Sequence, residues 1–272
     1  MSVPSLELPE PSQSMLRSAR SLMRRKERKQ AGRFLVEGRQ AVREALGVPG
    51  VVEAVFFHWA SAHDNVDLVE LAAAASVPYY GVSEQNLATM TDTVTPQGVV
   101  AVARAMDVPL DEVLSGDLSL VVVCAQVRDP GNAGTVIRCA DAAGADAVIL
   151  SSDSVEVYNP KTVRASVGSI FHLPIVVGVD LAEAITACRA SGLQIFATDG
   201  ASGTDLTDLT DELGRPTAWV MGNESWGLPV EHLQLADRTV AVPIYGKAES
   251  LNLATAAAVC LYASATAQRA KS

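Results

Sequence analysis

The chain has few of the residues that build metal centres and redox sites. Four cysteines and four histidines occur among its 272 residues, and no CxxC, HxxxH or mixed Cys/His cluster brings them close together in sequence. Because zinc sites usually draw on such closely spaced ligands, the sequence predicts no metal site. The cysteines lie inside apolar segments, which indicates buried, reduced thiols of a cytosolic protein.

Long hydrophobic runs and an export signal are also missing. The longest apolar stretch, residues 118–127, is interrupted by Gln126 and is far shorter than the roughly 20 residues that a membrane-spanning helix needs. Residues 1–14 are rich in proline and serine and lack the charged-then-apolar pattern of a secretory signal. We therefore expect a cytoplasmic protein that is not inserted in a membrane and that begins with a mobile tail.

Positive charge is scarce everywhere except in one segment. The net charge is −10, yet residues 17–43 contain ten lysines and arginines against two acidic residues. A basic segment on an otherwise acidic protein favours contact with a polyanion, most often nucleic acid, although a solvated basic helix would show the same composition. The candidate nucleic-acid contacts are Arg17, Arg20, Arg24, Arg25, Lys26, Arg28, Lys29, Arg33 and Arg39. The aromatic residues Phe56, Phe57 and Trp59 are predicted to be core residues of this region.

Apolar patterns divide the chain into two α/β regions. In residues 15–105, a basic helix over 15–29 and a helix over FLVEGRQAVREAL (34–46) precede strands at 51–57, 78–82 and 98–104. Residues 106–117, with Pro109 and Gly116, are predicted to be a linker. In residues 118–272, continuous apolar strands alternate with helices, which is typical of a parallel sheet covered on both faces.

Three polar stretches follow predicted strands of the second region, where open α/β sheets bind their ligands. They are RDPGNAGTVIR (128–138), GNESWGLP (222–229) and PIYGKAESLN (243–252). No Rossmann GxGxxG, Walker loop or nucleophile elbow is present. The GNESWGLP loop offers glycines and a carboxylate but no lysine, so it suits a neutral or cationic ligand better than a phosphate. A plain turn from strand to helix is the alternative.

These three stretches, in this order, resemble the three motifs of the SpoU, or TrmH, family of RNA ribose 2'-O-methyltransferases in the SPOUT superfamily. The segment NPKTVRASVGSIFHLPI (159–175) is similar to the one that the family carries between its first two motifs. Upstream, FLVEGRQAVREAL and TPQGVVAVAR (95–104) resemble the family's N-terminal substrate-binding domain, an L30e/L7Ae-like fold. The likeness covers residues 20–265 and departs from the family at Ser225 and Trp226, where small or acidic residues are usual.

The resemblance implies a fold and a ligand that the apolar pattern alone does not show. Residues 15–105 would be the RNA substrate-binding domain and residues 118–272 a methyltransferase domain with its C-terminal segment threaded into a trefoil knot. A homodimer with each active site near the subunit interface is implied as well. The cofactor would be S-adenosylmethionine, held by Thr198, Gly200, Met221, Gly222, Asn223, Gly227, Val242, Ile244, Leu251 and Leu253.

The same resemblance assigns catalysis to Arg138, assisted by Asn132, Glu224, Ser250 and Asn252. The family's proposed role for this arginine is to help remove the ribose hydroxyl proton. Because an arginine pKa above about 12 makes a poor base, holding a phosphate or the forming oxyanion is the physically easier role. The base-methylating branch of the superfamily is disfavoured, since its motifs differ and it usually relies on an acidic residue.

The substrate implied is RNA, with large-subunit ribosomal RNA favoured by the L30e-like domain. Transfer RNA is the alternative substrate, and a catalytically silent RNA-binding or ribosome-assembly protein is the alternative function. Some relatives with this domain layout confer resistance to antibiotics, including thiostrepton and avilamycin, so resistance and housekeeping roles both stay open.

Overall fold

Two β-sheets form separately in the computed structural model, which describes residues 8–93, 95–223 and 225–270. The first unit contains the chain as far as Met106 together with Tyr158–Phe171. The second unit contains Asp107–Val157 and the chain from His172 onward. Among the described residues, no helix is both long and apolar enough to cross a membrane.

The first unit is built on a four-stranded mixed sheet. Its elements are α1 (Gln13–Ser21), α2 (Arg25–Ala31), β1 (Arg33–Glu37), α3 (Arg39–Gly47), β2 (Val52–His58), α4 (Val66–Ala74), β3 (Tyr79–Val82), α5 (Glu84–Ala88), β4 (Val99–Arg104) and, from the second part of the chain, α8 (Pro160–Ser166). The strands lie in the order β1-β4-β2-β3. Strand β4 is antiparallel to both neighbours, whereas β3 is parallel to β2.

Two helix predictions in this unit are wrong. The helix predicted over residues 15–29 is interrupted between Ser21 and Arg25, and the first part of FLVEGRQAVREAL is strand β1. Phe34, Leu35 and Val36 are all buried, because β1 pairs along its length with β4. A short apolar run is compatible with either a helix or a strand, and here the partner strand decides. Gly38, at a φ of 97°, makes the turn from β1 to α3.

The segment Tyr158–Phe171 lies within residues 118–272 of the sequence but packs in the first unit. The Tyr158 ring stacks on Phe34 with centroids 4.5 Å apart, and its hydroxyl accepts a 2.6 Å hydrogen bond from the Met106 N–H. Arg164 lies 3.6 Å from the Glu37 carboxylate. These contacts join a piece of the chain that follows residue 118 to the region before it.

The second unit is built on a six-stranded sheet in which every pairing is parallel. Its elements are α6 (Leu110–Leu114), β5 (Leu120–Cys124), α7 (Pro130–Ala143), β6 (Ala147–Ser151), β7 (Ile175–Val179), α9 (Leu181–Ala190), β8 (Gln194–Thr198), β9 (Thr217–Met221), α10 (Val230–Leu233), β10 (Arg238–Val240) and α11 (Leu253–Arg269). All residues of β5, β6 and β9 are buried. This is the pattern of strands covered on both faces that the sequence predicted. Helix α6 lies within the predicted linker.

The strand order places a crevice between β5 and β9. The strands lie in the order β10-β8-β9-β5-β6-β7, so the chain leaves β5 towards β6 and leaves β9 in the opposite direction towards β10. Open α/β sheets bind ligands at such a switch point, at the carboxyl ends of the strands. The first two polar stretches follow β5 and β9 respectively, and the third follows β10.

Candidate active site

The loops after β5 and β9 are hydrogen-bonded to each other at the switch point. The Asn223 side-chain amide donates to the Gln126 carbonyl at 2.6 Å, and the Ala125 N–H donates to the Met221 carbonyl at 2.8 Å. Gln126 has a φ of 53°, which is uncommon for a residue with a side chain. Its N–H donates to the Ser151 hydroxyl at 2.9 Å. Two loops nearly a hundred residues apart in sequence are thus joined by hydrogen bonds.

The glycines of the loop after β9 are required by its geometry. Asn223 and Gly227 exchange two backbone hydrogen bonds of 2.9 and 3.0 Å, and the Asn223 side chain accepts from the Ser225 N–H at 2.8 Å. A Cβ on Gly222 would lie 2.6 Å from the Gly227 carbonyl carbon, which is too close for any side chain. Gly227 itself has a φ of 69°. The loop is therefore a closed, tightly folded turn, and Glu224 of this loop lies outside the described residues.

A cavity of about 320 Å³ opens beside this turn. Its lining comes from the ends of β8, β9 and β10, the segment after β10 and the start of α11, namely Thr198, Asp199, Gly200, Gly222, Asn223, Ser225, Gly227, Val240, Val242, Ile244, Glu249, Ser250, Leu251, Leu253 and Ala256. Nine of the ten predicted cofactor residues line it. The tenth, Met221, is fully buried in the sheet, with its sulfur 3.8 Å from the Thr198 hydroxyl.

The chemistry of this lining suits a ligand with an apolar ring system and a positive charge. Aliphatic side chains form one part of the wall, and the carboxylates of Asp199 and Glu249 are the only charged groups among the described lining residues. A phosphate would meet two acids and no cation there. S-adenosylmethionine, which carries an adenine, ribose hydroxyls and a positive sulfonium, fits this donor set. The volume lies near the lower end of the roughly 300–1,000 Å³ that is usual for small-molecule sites.

The predicted catalytic asparagines of the first and third motifs contact each other. The Asn252 side-chain amide donates to the Asn132 side-chain oxygen at 2.9 Å. Asn252 also caps α11 by accepting from the Ala254 N–H at 2.9 Å. The cap of α7 is Asp129, which accepts from the Asn132 N–H at 2.9 Å. The cap of α7 is thus supplied by Asp129, while the Asn132 side chain contacts Asn252.

Arg138 lies on α7, is exposed and does not line the cavity. The predicted catalytic residues Asn132 and Asn252 do not line it either. No hydrogen bond or ion pair joins the Arg138 side chain to another described residue. Ser250, in contrast, lines the cavity next to Leu251. Among the described residues, no group of His, Cys, Asp or Glu side chains could hold a metal ion.

Comparison with known proteins decides the family. The profile of the SpoU rRNA Methylase family matches residues 119–262, and that of the MRM3-like substrate binding domain matches residues 14–101. The chain belongs to the SpoU rRNA methylase family. The resemblance drawn from the three motifs is confirmed, as is an α/β fold with a parallel sheet and an N-terminal substrate-binding domain. The knot stays a prediction.

Several SpoU-family relatives match along most of their length. The chain is 34% identical to the 23S rRNA (guanosine(2553)-2'-O)-methyltransferase RlmP of Bacillus subtilis, with 89% of this chain and 92% of the relative covered. It is also 34% identical to the 23S rRNA (uridine(2479)-2'-O)-methyltransferase of Streptomyces viridochromogenes, with 88% and 84% covered. The crystal structure of the SpoU methyltransferase AviRb from that organism with AdoMet gives a TM-score of 0.79 at 30% identity, over 95% and 100% of the two chains.

The basic segment of this SpoU-family chain is partly used for internal contacts. Arg28 is only 5% exposed and donates to the carbonyls of Leu22 and Met23, at 2.8 Å each, so its predicted contact with RNA is not compatible with its position. Arg20 donates to Asn86. Five predicted contacts are exposed, namely Arg17, Arg24, Arg25, Lys26 and Lys29.

Arg33 and Arg39 of the same segment form ion pairs within the unit. Arg33 lies 3.2 Å from Glu53, and Arg39 lies 3.0 Å from Asp67. Burial alone would raise the pKa of Glu53, but hydrogen bonds and charges from Arg104 and Arg33 lower it overall. These arginines stabilise the fold and have less freedom to meet a phosphate.

Sequence reasoning missed several features of the site. Asp199, Ser225, Val240, Glu249 and Ala256 also line the cavity, and each is a close neighbour in sequence of a predicted cofactor residue. Trp59, in the first unit, was predicted to be a core residue but is 46% exposed. Its position at the end of β2, where the chain leaves the sheet, was the available signal.

Proposed function

We propose that this chain is an S-adenosylmethionine-dependent RNA ribose 2'-O-methyltransferase that acts on large-subunit ribosomal RNA. The proposal is carried by the cavity beside the loop after β9, which is lined by residues of the second and third polar stretches and linked to the first by the Asn252–Asn132 hydrogen bond. The 23S rRNA 2'-O-methyltransferases among its relatives support the reaction and the substrate. The AdoMet-bound relatives support the cofactor.

Each side of the cavity has a separate task in this proposal. The aliphatic side chains of Val242, Ile244 and Leu251 would hold the adenine, together with backbone groups of Gly222 and Gly227. When bound, S-adenosylmethionine supplies an electrophilic methyl group on a positive sulfonium. The carboxylates of Asp199 and Glu249 complement positive charge and ribose hydroxyls in this cavity. The reaction then depends on holding the ribose 2'-oxygen in line with the methyl group.

Arg138 is proposed to stabilise the negative charge that develops when the 2'-hydroxyl loses its proton. A guanidinium remains charged at any physiological pH, which favours the role of a phosphate or oxyanion ligand over that of a base. Asn132, Glu224, Ser250 and Asn252 are proposed to orient the ribose and this arginine. The exposed basic residues of α1 and α2 and their connecting turn are proposed to grip RNA phosphates.

We propose a homodimer in which each active site lies near the subunit interface. Arg138 is exposed and does not line the cavity, and in this proposal a second copy supplies the arginine that completes the site. Val259 and Tyr262, exposed on the long helix α11, support an interface there. Mixing an Arg138→Ala chain with a Ser250→Ala chain tests this, since only a shared site would regain activity on mixing. The mass from light scattering reports the dimer independently.

The experiment that tests the function is transfer of radiolabelled methyl groups to purified ribosomal and transfer RNA, followed by alkaline hydrolysis. Alkali-resistant labelled dinucleotides from ribosomal RNA, lost in Arg138→Ala, would support the proposal. Label in transfer RNA alone would identify transfer RNA, and not ribosomal RNA, as the substrate. RNA binding without any incorporation would favour a catalytically silent RNA-binding protein.

The location and the biological role are finer parts of the proposal. The protein is proposed to act in the cytoplasm, where ribosomes are assembled. The two 23S rRNA relatives act on different nucleotides, so mapping the modified nucleotide separates housekeeping from antibiotic resistance. Expression in a susceptible strain should raise the inhibitory concentration of avilamycin if resistance is the role.

A further inference from the structure

Trp226 is an exposed aromatic side chain at the edge of the candidate cofactor cavity. Its residue is 57% exposed, although the loop that carries it is closed by the two backbone hydrogen bonds between Asn223 and Gly227. Gly222, Asn223, Ser225 and Gly227 of this loop line the cavity, and Trp226 does not. Trp226 is therefore an exposed side chain between two residues, Ser225 and Gly227, that line the cavity.

The second unit, which carries Trp226, has a strongly negative net charge. The unit contains 8 lysines and arginines against 20 aspartates and glutamates, whereas the first unit carries the basic segment. The net acidic charge weakens the attraction of the RNA backbone to this unit, in which Arg138 is the proposed phosphate or oxyanion ligand. A contact that does not depend on charge would therefore add to the binding of RNA at this site.

Stacking on an unpaired base is such an interaction. Proteins bind single-stranded RNA largely by stacking splayed bases on exposed aromatic side chains, and every base has a face that can stack. A ribose whose 2'-hydroxyl reaches into the cavity carries its base to the rim.

We propose that Trp226 is a positioning residue that stacks on an unpaired base of the RNA substrate at the mouth of the cavity. This inference rests on the proposed function, since it assigns the RNA side of that same site. Trp226 does not touch the reacting atoms in this proposal. It holds the nucleotide so that the ribose stays in place against the acidic surface.

The test compares Trp226→Ala and Trp226→Phe with a matched control, Val230→Ala. Val230 is 66% exposed just after the same loop but cannot stack. The KM for ribosomal RNA should rise about five- to a hundred-fold in Trp226→Ala, with a smaller change in kcat, and should return close to wild type in Trp226→Phe. The S-adenosylmethionine dissociation constant from calorimetry and the Val230→Ala kinetics should stay at wild-type values.

A spectroscopic readout separates this inference from the proposed function. The chain has three tryptophans, and Trp219 is fully buried, so a Trp59→Phe background leaves Trp226 as the exposed fluorophore. Ribosomal RNA should quench its emission. If RNA binds and quenches the Trp226 emission but no methyl group is transferred, the proposed function is wrong and the stacking of Trp226 on RNA is still supported.

Three results would overturn the inference. An unchanged KM for RNA in an active Trp226→Ala enzyme would remove the stacking role. Weaker S-adenosylmethionine binding with unchanged RNA binding would place the indole on the cofactor. A lower molecular mass of Trp226→Ala by light scattering would place the indole against a second copy of the chain.

Discussion

Replacing Gly222 with alanine should disrupt the cofactor loop because the added methyl group has no space. The new Cβ would lie 2.6 Å from the Gly227 carbonyl carbon, 2.9 Å from the Leu228 nitrogen and 3.0 Å from the Gly227 Cα. All three atoms belong to the backbone, so no side-chain rotation relieves the contact. Carbon atoms normally approach to about 3.5–4.0 Å. The two strands of the turn must therefore separate by about 1 Å.

Such a shift acts directly on the hydrogen bonds that close the turn. The bonds between Asn223 and Gly227, at 2.9 and 3.0 Å, would both lengthen beyond a normal hydrogen bond. Each contributes about 0.5–1.5 kcal/mol, so about 1–3 kcal/mol is lost. If the loop contacts the cofactor and the whole loss appears in binding, the S-adenosylmethionine dissociation constant should rise about five- to 160-fold.

The assay is calorimetric titration with S-adenosylmethionine, combined with thermal unfolding of the free protein. Gly246→Ala is the matched control, because Gly246 has no atom within 4 Å of its added Cβ and no positive φ, and it does not line the cavity. That control should bind and unfold like wild type. A Gly222→Ala protein that binds the cofactor as tightly as wild type would refute the assignment of this loop.

Three further outcomes are expected. Asn252→Ala should lower the free energy of unfolding by about 0.5–2 kcal/mol, because α11 loses its cap. It should also lower kcat, because Asn132 loses its 2.9 Å hydrogen-bond partner. Asn252→Asp, which restores the cap alone, should recover stability without activity. Folding lowers the pKa of Glu53, so the carboxylate stabilises the protein fully above the ordinary pKa of 4.5 and ceases to do so as the pH falls through the folded pKa. Glu53→Gln should therefore flatten the decline of the unfolding free energy on acidification. An unchanged decline would contradict this. Burial raises the pKa of Cys188 to about 11 and that of Cys260 to about 12. Neither thiol should therefore react with a disulfide reagent at pH 8 until the protein unfolds. Fast labelling of either thiol in the native protein would argue against its burial.

The apolar pattern of the sequence predicted the parallel sheet of the second unit and the position of its polar loops, and the resemblance to the SpoU family predicted most of the cavity lining. The all-apolar runs of β5, β6 and β9 are compatible with little except strands covered on both faces. Ligand sites in such sheets lie at the strand ends, so polar residues just after the strands could be assigned to a site before any contact was known. Local pattern and position along the chain carry that information.

Only the tertiary structure decided which residues meet across the chain. Asn132 and Asn252 are 120 positions apart, and their contact depends on how two capped helices are placed. The same holds for Tyr158 on Phe34 and for the partner strand that makes residues 33–37 a strand. In the basic segment, too, only the structure shows which arginines face solvent, because that depends on burial or on an acidic partner distant in sequence. Such contacts arise from the packing of distant segments, which no local pattern of apolar and polar residues records.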